Sequence, residues 1–439
     1  MGARVGIRHE DKYDAERRVA ITPRHAARLI REDGLEVVVQ SSSKRVFSDE
    51  AFADAGARVQ RDLKDCPVIF GVKEVPLEAF EPGKTYVFFS HVCKGQPYNM
   101  PMLKTMMNLG CSLVDYERIV DDHDRRLIFF GRFAGLAGMI NTLWSAGLRL
   151  REMGVADNPF TGLRQAHRYA SLDEAKRAVA AAGSRIERDG MPPELRPFTL
   201  GFTGYGNVSK GAQEIAELLP IQELAPEALL RCDPGDLDAG NRVFKIVFRE
   251  EHLARRRDGD PFDLQHYYQH PEQYENAFEP YIPRLSVLLN GIYWDVRYPR
   301  IVTRDFLARA FASGRPKLTV IGDVTCDPDG SIEITHKGTP IEDPVFVYNP
   351  FTREPRMGFA GEGLLVMAVD ILPSELPRDA SEAFGDALCE FVPSIAAADY
   401  AVPFDDLALP PPIKRAVVLL NGELAPGYRH LEEPLRRFG

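Results

Sequence analysis

The sequence predicts an α/β protein with two doubly wound parallel-sheet domains, separated by a cleft and joined by a long helix. Residues 1–133 alternate short apolar runs with amphipathic stretches, a pattern typical of strands and helices around a parallel sheet. A second alternation begins at residue 198, where an apolar run leads into a glycine-rich turn. Between them, residues 133–153 are apolar on nearly every side, which indicates a buried linker helix.

The first alternation divides into individual elements. Thr22 followed by Pro23 is a typical N-cap and first-turn pair, and it predicts a helix from residue 24. Runs of β-branched and aromatic residues bounded by Pro or Gly predict the strands. The predicted strands are residues 5–8, 36–40, 68–72, 86–90 and 112–116, and the predicted helices are residues 24–31, 49–55 and 100–109.

The second alternation predicts a strand, a helix and a strand in turn, followed by further strand or helix pieces. These are residues 198–202, 208–219 and 221–224, then 242–248, 284–290, 301–306 and 317–323. An insertion at about residues 250–282 is rich in Tyr, Gln, His and Pro. Residues 359–371 and 381–398 predict helices that pack back on the first domain. We therefore assign residues 1–133 and 350–439 to a substrate and catalytic domain, and residues 134–349 to a second domain.

Composition limits the class of protein. The 439 residues are 44% hydrophobic and 27% charged, which is ordinary for a soluble globular protein. The net charge of −10 argues against a nucleic-acid surface, and no apolar stretch reaches the roughly 18 residues of a membrane span. Six scattered cysteines without a CxxC pair, and no export signal at the N-terminus, predict a reduced cytoplasmic protein.

The glycine-rich turn reads TGYGNVSKG over residues 203–211, after a strand and before a helix. That context fits a dinucleotide-binding turn, in which a helix N-terminus and open backbone receive the pyrophosphate. Ser209 replaces the third glycine of the usual pattern and Gly211 follows two places later, so a chance glycine turn stays open. We expect a Rossmann-like, NAD(P)-binding second domain, with the cofactor contacted by Gly204, Tyr205, Gly206, Asn207 and Val208.

The choice of cofactor depends on an acidic residue about 20 positions after the turn, at the end of the next strand, where it would grip a ribose hydroxyl. Residues 224–226 read LAP there, and the direction of Glu223 is open. The missing acid favours NADP(H), although NAD(H) is not excluded. His266 and His270 lie four residues apart but lack a third ligand, so we predict no metal site.

Two predicted strands of the first domain end in ionisable residues. Lys73 follows the run 68–72, and His91 follows the run 86–90. Because ligands bind outside the carboxyl ends of parallel strands, both side chains would face one cleft and could exchange protons near neutral pH. Lysines and histidines also end strands merely as solvated residues, and spacing alone leaves both interpretations open.

Other charged residues lie at predicted strand ends. Arg18 follows the first strand and suits a substrate carboxylate, whereas an ion pair with Glu16 is the common alternative. Glu117 and Arg126 flank the fourth strand and, taken alone, indicate only solvated residues. Asp323 would face the same cleft from the second domain, or would simply cap a turn.

Several segments together resemble a known family. They are ERRVAITPRH, IFGVKEVP, YVFFSHVCKGQPYNM, LVDYERIVDD, FAGLAGMIN, FTGYGNVSKGAQ, LLNGIYW and IGDVTCDPDGSIE. The chain resembles the lysine–2-oxoglutarate reductase half of aminoadipate-semialdehyde synthase and, more distantly, fungal lysine-forming saccharopine dehydrogenase. Both are in the alanine dehydrogenase and transhydrogenase fold group. The resemblance implies NADPH-dependent condensation of L-lysine with 2-oxoglutarate to saccharopine, in lysine degradation.

The resemblance also implies roles for individual residues. Lys73 and His91 would be the acid–base pair, and Arg18 would bind substrate. The remaining residues that would line the substrate site are Glu16, Glu74, Lys94, Gln96, Glu117, Arg126 and Asp323. Tyr13 stands where the fungal proteins carry a basic residue, with Lys12 beside it, which leaves that contact in doubt. The chain ends at Gly439 without a saccharopine-cleaving half, so we expect it to make saccharopine but not to cleave it.

Two other functions compete with this one. An alanine-dehydrogenase-like amination would keep the fold and change the substrates, and a dinucleotide-binding regulator would lack turnover. The expected partners are small molecules (L-lysine, 2-oxoglutarate and saccharopine), with no nucleic acid or membrane. A homo-oligomer is left open.

Overall fold

A computed structural model describes residues 2–232, 234–237 and 240–439. The chain divides into two compact units, the first formed by Met1–Phe130 with Pro377–Gly439 and the second by Gly131–Leu376. The division inferred from the sequence placed residues 350–376 in the first domain, whereas they lie in the second unit. Their strands join the sheet of that unit, as described below.

The strands, in chain order, are β1 (Arg4–Ile7), β2 (Glu36–Gln40), β3 (Arg58–Gln60), β4 (Val68–Phe70), β5 (Thr85–Phe88), β6 (Ser112–Asp115), β7 (Phe198–Thr203), β8 (Ile221–Glu223), β9 (Val243–Phe248), β10 (Ala254–Arg256), β11 (Tyr274–Asn276), β12 (Val287–Asn290), β13 (Val320–Asp323), β14 (Val345–Tyr348), β15 (Pro355–Met357), β16 (Leu364–Met367), β17 (Val417–Leu420) and β18 (Glu423–Leu424).

The α-helices, in chain order, are α1 (Pro23–Asp33), α2 (Asp49–Asp54), α3 (Met100–Asn108), α4 (Gly131–Glu152), α5 (Leu172–Asp189), α6 (Asn207–Ala216), α7 (Pro226–Arg231), α8 (Glu250–Leu253), α9 (Leu264–Gln269), α10 (Arg304–Ala312), α11 (Pro377–Leu388), α12 (Val392–Ala397), α13 (Pro411–Arg415) and α14 (Glu432–Phe438). No helix among the described residues is long and apolar enough to cross a bilayer.

The sheet of the first unit has the order β18-β17-β6-β5-β4-β1-β2-β3. Strands β1 to β6 pair in parallel, and β17 adds to β6 in the antiparallel direction. Strands β4, β5 and β6 are buried at every position, as expected for a parallel sheet covered on both faces. The carboxyl ends of β1, β4, β5 and β6 therefore lie side by side along one edge.

The sheet of the second unit has the order β15-β14-β16-β13-β12-β7-β9-β8. Its six strands from β16 to β8 are parallel, and β14 and β15 are antiparallel additions. Strands β10 and β11 form a separate two-stranded sheet within the predicted insertion. The α/β class with two largely parallel sheets is therefore confirmed.

The C-terminal part of the second unit corrects one prediction. The sequence predicts a helix over residues 359–371, but Leu364–Met367 form strand β16. This run has only four buried apolar residues, and periodicity cannot separate so short a run from a helix. Gly363 has a φ of 126°, and a Cβ there would lie 1.9 Å from the carbonyl oxygen of Tyr348, so the backbone is bent for strand pairing.

Helix α4 is buried along most of its 22 residues, as the sequence predicts. It packs on α6 through two glycines, because a Cβ at Gly135 would lie 1.9 Å from the Val208 carbonyl oxygen and one at Gly211 would lie 2.1 Å from the Arg132 carbonyl oxygen. Gly211 thus brings the two helices into backbone contact.

Candidate active site

The carboxyl edge of the first sheet brings the predicted lysine and histidine to neighbouring strands. Phe70 of β4 pairs with Val87 of β5 in parallel register. Lys73 follows β4 and His91 follows β5, each three residues beyond the last strand residue. The structure therefore places the two residues on adjacent strand ends, as the sequence predicts.

His91 is held in a defined orientation. Its φ of 53° lies in the left-handed region, and the Asn99 side chain donates hydrogen bonds to the carbonyl oxygens of Ser90 (2.9 Å) and His91 (3.2 Å). Its Nδ1 lies 2.8 Å from Glu74 Oε1. Because an ionised carboxylate only accepts, Nδ1 carries a proton and donates it to Glu74.

Glu74 is the carboxylate that organises this edge. Its Oε1 also lies 2.6 Å from Lys12 Nζ, and its Oε2 is buried without a hydrogen-bond partner among the described residues. Burial opposes ionisation, but His91 and Lys12 outweigh it and lower the pKa of Glu74 to about 2. Lys12 thus supplies a cation beside Glu74.

Lys73 is partly buried, and its Nζ forms no hydrogen bond with a described residue. Burial lowers the pKa of the Lys73 ammonium, and the neighbouring positive charge of Arg18 lowers it further. A lysine in this environment reaches the neutral form more easily than an exposed one.

Glu10 is a site residue that the sequence analysis missed. It is 4% exposed, and its two carboxylate oxygens accept hydrogen bonds from the backbone N–H groups of Val72 and Lys73, both at 2.8 Å. Burial raises the pKa of Glu10 to about 7. Its position just after β1 was the available signal, since that strand ends at the same edge. Glu10 fixes the backbone from which Lys73 projects.

Asp115 was also missed. It ends β6, is fully buried, and accepts a hydrogen bond from the Ser90 hydroxyl in the residue before His91. Burial raises the pKa of Asp115 to about 6 although this hydrogen bond opposes the shift. Asp115 therefore braces the turn that carries His91.

Arg18 and Glu16 form a buried fork-to-fork ion pair. Arg18 Nε donates to Glu16 Oε1 at 2.8 Å and Arg18 Nη2 donates to Oε2 at 2.6 Å. The guanidinium carbon lies 4.2 Å from the centroid of the Phe130 ring. Burial opposes ionisation of Glu16, yet Arg18 holds the pKa of that carboxyl below its usual range. The ion-pair alternative therefore holds, although the pair is buried and not on the surface.

The remaining predicted residues are less closely grouped. Glu117 lies in a short 3₁₀ helix after β6, and its carboxylate is 2.8 Å from Arg126 Nη2, whose side chain is half exposed. Lys94 is exposed and Gln96 is partly buried in the loop after β5. The geometry alone gives these residues no assigned role.

Asp323 ends β13 in the second unit and is 1% exposed. It accepts hydrogen bonds from Asn290 Nδ2 (2.8 Å), Thr335 Oγ1 (2.6 Å) and the backbone N–H of Cys326 (3.2 Å). Burial raises the pKa of Asp323 to about 6. The bond to Cys326 fits the turn-capping alternative, so a substrate role stays a prediction.

The glycine turn of the second unit fits a dinucleotide. Gly204 has a φ of 79°, and its N–H donates to the Phe248 carbonyl oxygen at 2.9 Å. A Cβ at Gly206 would meet nothing within 4 Å, so open space adjoins the turn, and no side chain caps α6. These features leave backbone N–H groups for a pyrophosphate.

The described residues include no group of three or more His, Cys, Asp or Glu side chains that could hold a metal ion.

The chain is similar to several known proteins. Residues 6–137 match the family model described as alanine dehydrogenase/PNT, N-terminal domain. The chain is 39% identical over 443 residues to alpha-aminoadipic semialdehyde synthase of Arabidopsis thaliana, covering 97% of this chain and 41% of that protein. It is 36% identical over 445 residues to the mitochondrial alpha-aminoadipic semialdehyde synthase of Bos taurus, covering 98% of this chain and 47% of that protein.

A fungal relative is matched over most of its length. The saccharopine dehydrogenase (NAD(+), L-lysine-forming) of Emericella nidulans is 28% identical over 400 residues, covering 88% of this chain and 91% of that protein. Among solved structures, an L-alanine dehydrogenase has a TM-score of 0.62 at 15% identity and covers 99% of this chain and 100% of that one. A transhydrogenase from Sinorhizobium meliloti has a TM-score of 0.55 at 14% identity, covering 96% and 100%.

The fold and the glycine turn define a two-sheet α/β protein with the fold of alanine dehydrogenase and transhydrogenase. Residues 6–137 match the model of the alanine dehydrogenase/PNT N-terminal domain, and the chain is similar over most of its length to alpha-aminoadipic semialdehyde synthases and saccharopine dehydrogenases. The resemblance predicted from the motifs is confirmed. The chain spans about half the length of the two semialdehyde synthases.

Proposed function

We propose that this chain is an oxidoreductase that condenses L-lysine with 2-oxoglutarate and reduces the product to saccharopine with NADPH, as part of lysine catabolism. The observation that carries the proposal is the pairing of Lys73 with His91 on adjacent strand ends, in a homologue of alpha-aminoadipic semialdehyde synthase. The lysine has a lowered pKa, and the histidine has one nitrogen fixed by Glu74.

The first step requires a neutral substrate amine. The ε-ammonium of L-lysine loses a proton, and its nitrogen then attacks the keto carbon of 2-oxoglutarate. A proton passes from the nitrogen of the adduct to the former carbonyl oxygen, which gives the neutral carbinolamine. Lys73 accepts the proton from the ammonium because its buried ammonium form is disfavoured. Arg18 contributes to this effect through its positive charge.

The second step removes water from the adduct. His91 Nε2 donates a proton to the departing hydroxyl, which leaves as water, and the nitrogen lone pair forms the C=N bond of an imine that keeps one N–H proton. Bound NADPH supplies the hydride that reduces the C=N bond. Glu74 stabilises the protonated imidazole through the 2.8 Å contact at Nδ1, so His91 can alternate between its two protonation states.

Substrate recognition involves several carboxylates. Arg18 donates to Glu16 from Nε and Nη2, and its Nη1 forms no hydrogen bond with a described residue, so the two N–H groups of Nη1 are left for a substrate carboxylate. Following the resemblance, Arg126 and Lys94 bind further carboxylates. Glu16, Glu74, Gln96, Glu117 and Asp323 complete the proposed substrate-binding set.

Two alternatives are tested by the same assay. The L-alanine dehydrogenase structure shares the fold alone, at 15% identity, and a regulator would bind a dinucleotide without turnover. We expect NADPH oxidation with L-lysine plus 2-oxoglutarate, and none with ammonia plus pyruvate. Oxidation with ammonia plus pyruvate alone would favour the amino-acid dehydrogenase, and tight dinucleotide binding without oxidation in either mixture would favour the regulator.

The choice of NADPH is part of the proposal, because the Emericella nidulans relative carries NAD(+) in its name. Assays with each reduced cofactor in turn, with saccharopine identified by mass spectrometry, test that choice. A cytoplasmic location and a homo-oligomer stay predictions, to be tested by cell fractionation and by light scattering of the purified protein.

A further inference from the structure

The strand order of the second sheet places an unexpected strand beside the glycine turn. Strand β8 follows α6 in the chain, yet β7 pairs with β9, and β8 lies beyond β9. Thr203 is in register with Phe248, and Gly204 donates to the Phe248 carbonyl oxygen at 2.9 Å. The carboxyl end of β9 is therefore level with the turn, and the residue after Phe248 adjoins the cofactor position.

This order removes Glu223 from the ribose position that the sequence spacing suggests. Glu223 lies two strands away from β7, or roughly 10 Å at about 4.8 Å per strand. Its register partner on β9 is Lys245, three residues before Phe248. Glu223 Oε1 also forms an ion pair with Lys245 Nζ at 2.8 Å. The Glu223 carboxylate is thus paired with a lysine, and it lies away from the glycine turn.

Arg249 is the residue that directly follows β9. Its side chain is exposed, and its guanidinium carbon lies 5.3 Å from the centroid of the Tyr205 ring, within the glycine turn. Its backbone N–H donates to His252 Nδ1 at 2.9 Å, and His252 Nε2 lies 3.1 Å from Glu227. The guanidinium forms no ion pair with a described residue, so its donors are available while its backbone is fixed.

The adjacent carboxylate is already engaged. Glu250 Oε1 accepts hydrogen bonds from the Tyr268 hydroxyl at 3.0 Å and from the Tyr205 hydroxyl at 3.4 Å. Tyr268 belongs to α9, so the insertion holds Glu250 in place. An available arginine beside an occupied carboxylate favours an anionic ligand over a hydroxyl group.

We propose that Arg249 binds the 2′-phosphate of NADP(H) and sets the preference of the chain for that cofactor. Tyr205 orients the guanidinium through its ring, and Tyr268 holds the Glu250 carboxylate away from a ribose hydroxyl. The inference rests on the proposed use of NADPH, but it concerns cofactor binding alone and does not depend on the identity of the substrates.

Calorimetric titration of the full chain with NADP⁺ and with NAD⁺ tests the proposal without turnover. We expect the wild-type protein to bind NADP⁺ more tightly than NAD⁺. Arg249→Gln should weaken NADP⁺ binding about 10- to 100-fold, the range for a lost charge-assisted pair, and change NAD⁺ binding less than about twofold. Arg309→Gln, an exposed arginine on α10, is the matched control and should change neither.

Three results would overturn the proposal. They are tighter binding of NAD⁺ by the wild type, unchanged NADP⁺ binding by Arg249→Gln, and an equal loss for both cofactors, which would place Arg249 on the shared pyrophosphate. Glu250→Gln is a second test. If this variant lost affinity for NAD⁺ alone, the Glu250 carboxylate would be the group that binds the ribose hydroxyl. Failure to turn over lysine with 2-oxoglutarate would contradict the proposed reaction and leave these titrations unaffected.

Discussion

The carboxyl edges of the two sheets use the same topology in different ways. In the first unit, the edge after β4 and β5 presents ionisable side chains, and burial or close charges shift their pKa values in opposite directions. In the second unit, the edge after β7 presents backbone, with glycines at positions 204 and 206 and open space beside Gly206. Proton transfer needs titratable groups, whereas a pyrophosphate needs N–H donors and space. The difference separates chemistry from cofactor binding, and substitutions can test it.

Removing Lys73 should have the largest effect on the first edge. Lys73→Met eliminates the proposed proton acceptor, so kcat should fall about 10²- to 10⁴-fold, while the NADP⁺ affinity from calorimetry stays within about twofold. Lys104→Met, at an exposed position on α3, is the matched control. A Lys73→Met variant with the wild-type kcat would remove Lys73 from the mechanism.

Glu74→Gln should change the pH dependence of stability. Its pKa is about 2 in the folded protein, below the ordinary value near 4.5, so its stabilisation is complete above about pH 4.5 and is lost as the pH falls towards 2. The variant should lose up to about 3 kcal/mol of unfolding free energy at pH 7, and the difference should shrink towards pH 3.

Urea unfolding across that pH range measures the effect, with Glu78→Gln as the exposed control in the same unit. A stability difference that grows as the pH falls would show that the Glu74 carboxylate is not held by His91 and Lys12.

A side chain at the second edge should act on cofactor binding and leave proton transfer intact. Gly204→Ala places a Cβ at φ 79° and 3.2 Å from Ile292 Cγ2, at a strain of about 1–2 kcal/mol. NADP⁺ affinity should fall about 5- to 30-fold, whereas the pH profile of kcat should keep its shape. Gly235→Ala, a glycine with open space around it, serves as the comparison. A shifted pH profile in Gly204→Ala would mean that the two edges do not act separately.

We expect the smallest effect from a substitution of Arg126, whose side chain is half exposed at the carboxyl edge of the first sheet. Arg126→Gln breaks the 2.8 Å pair with Glu117, and a half-exposed pair contributes at most about 1 kcal/mol to stability. The melting temperature should therefore fall by less than about 4 °C, while KM for 2-oxoglutarate rises if Arg126 binds a carboxylate. A large fall in melting temperature with an unchanged KM would make Arg126 a structural residue.

The site residues that could be predicted are those whose position follows from the sequence immediately around them. Lys73 and His91 directly follow apolar runs, and a strand end determines which edge its next residues reach. Glu10 also lies three residues beyond its strand, but its contact with the Val72 backbone spans 62 residues of chain, and no local pattern indicates that contact. Lys12 likewise lies in a polar loop, where no periodicity indicates a direction.

Prediction of the fold from the sequence is limited in the same way. Buried strands such as β4 and β5 have a clear apolar pattern, and they were found. Strand β8 has three residues and two of them are exposed, so nothing in its pattern indicates whether it pairs with β7 or with β9. Strand order is decided by contacts between distant segments, so the spacing along the chain does not show that β9, and not β8, lies beside β7.

The antiparallel strand β17 has a consequence for biosynthesis. It completes the first sheet against β6, and the backbone N–H of Asn421 reaches the hydroxyl of Ser112 from 309 residues away. The whole second unit is therefore translated before the first can close its sheet. Translation proceeds at roughly 5–20 residues per second, so the edge of β6 stays unpaired for tens of seconds after β6 is synthesised. The second unit is therefore complete before the first.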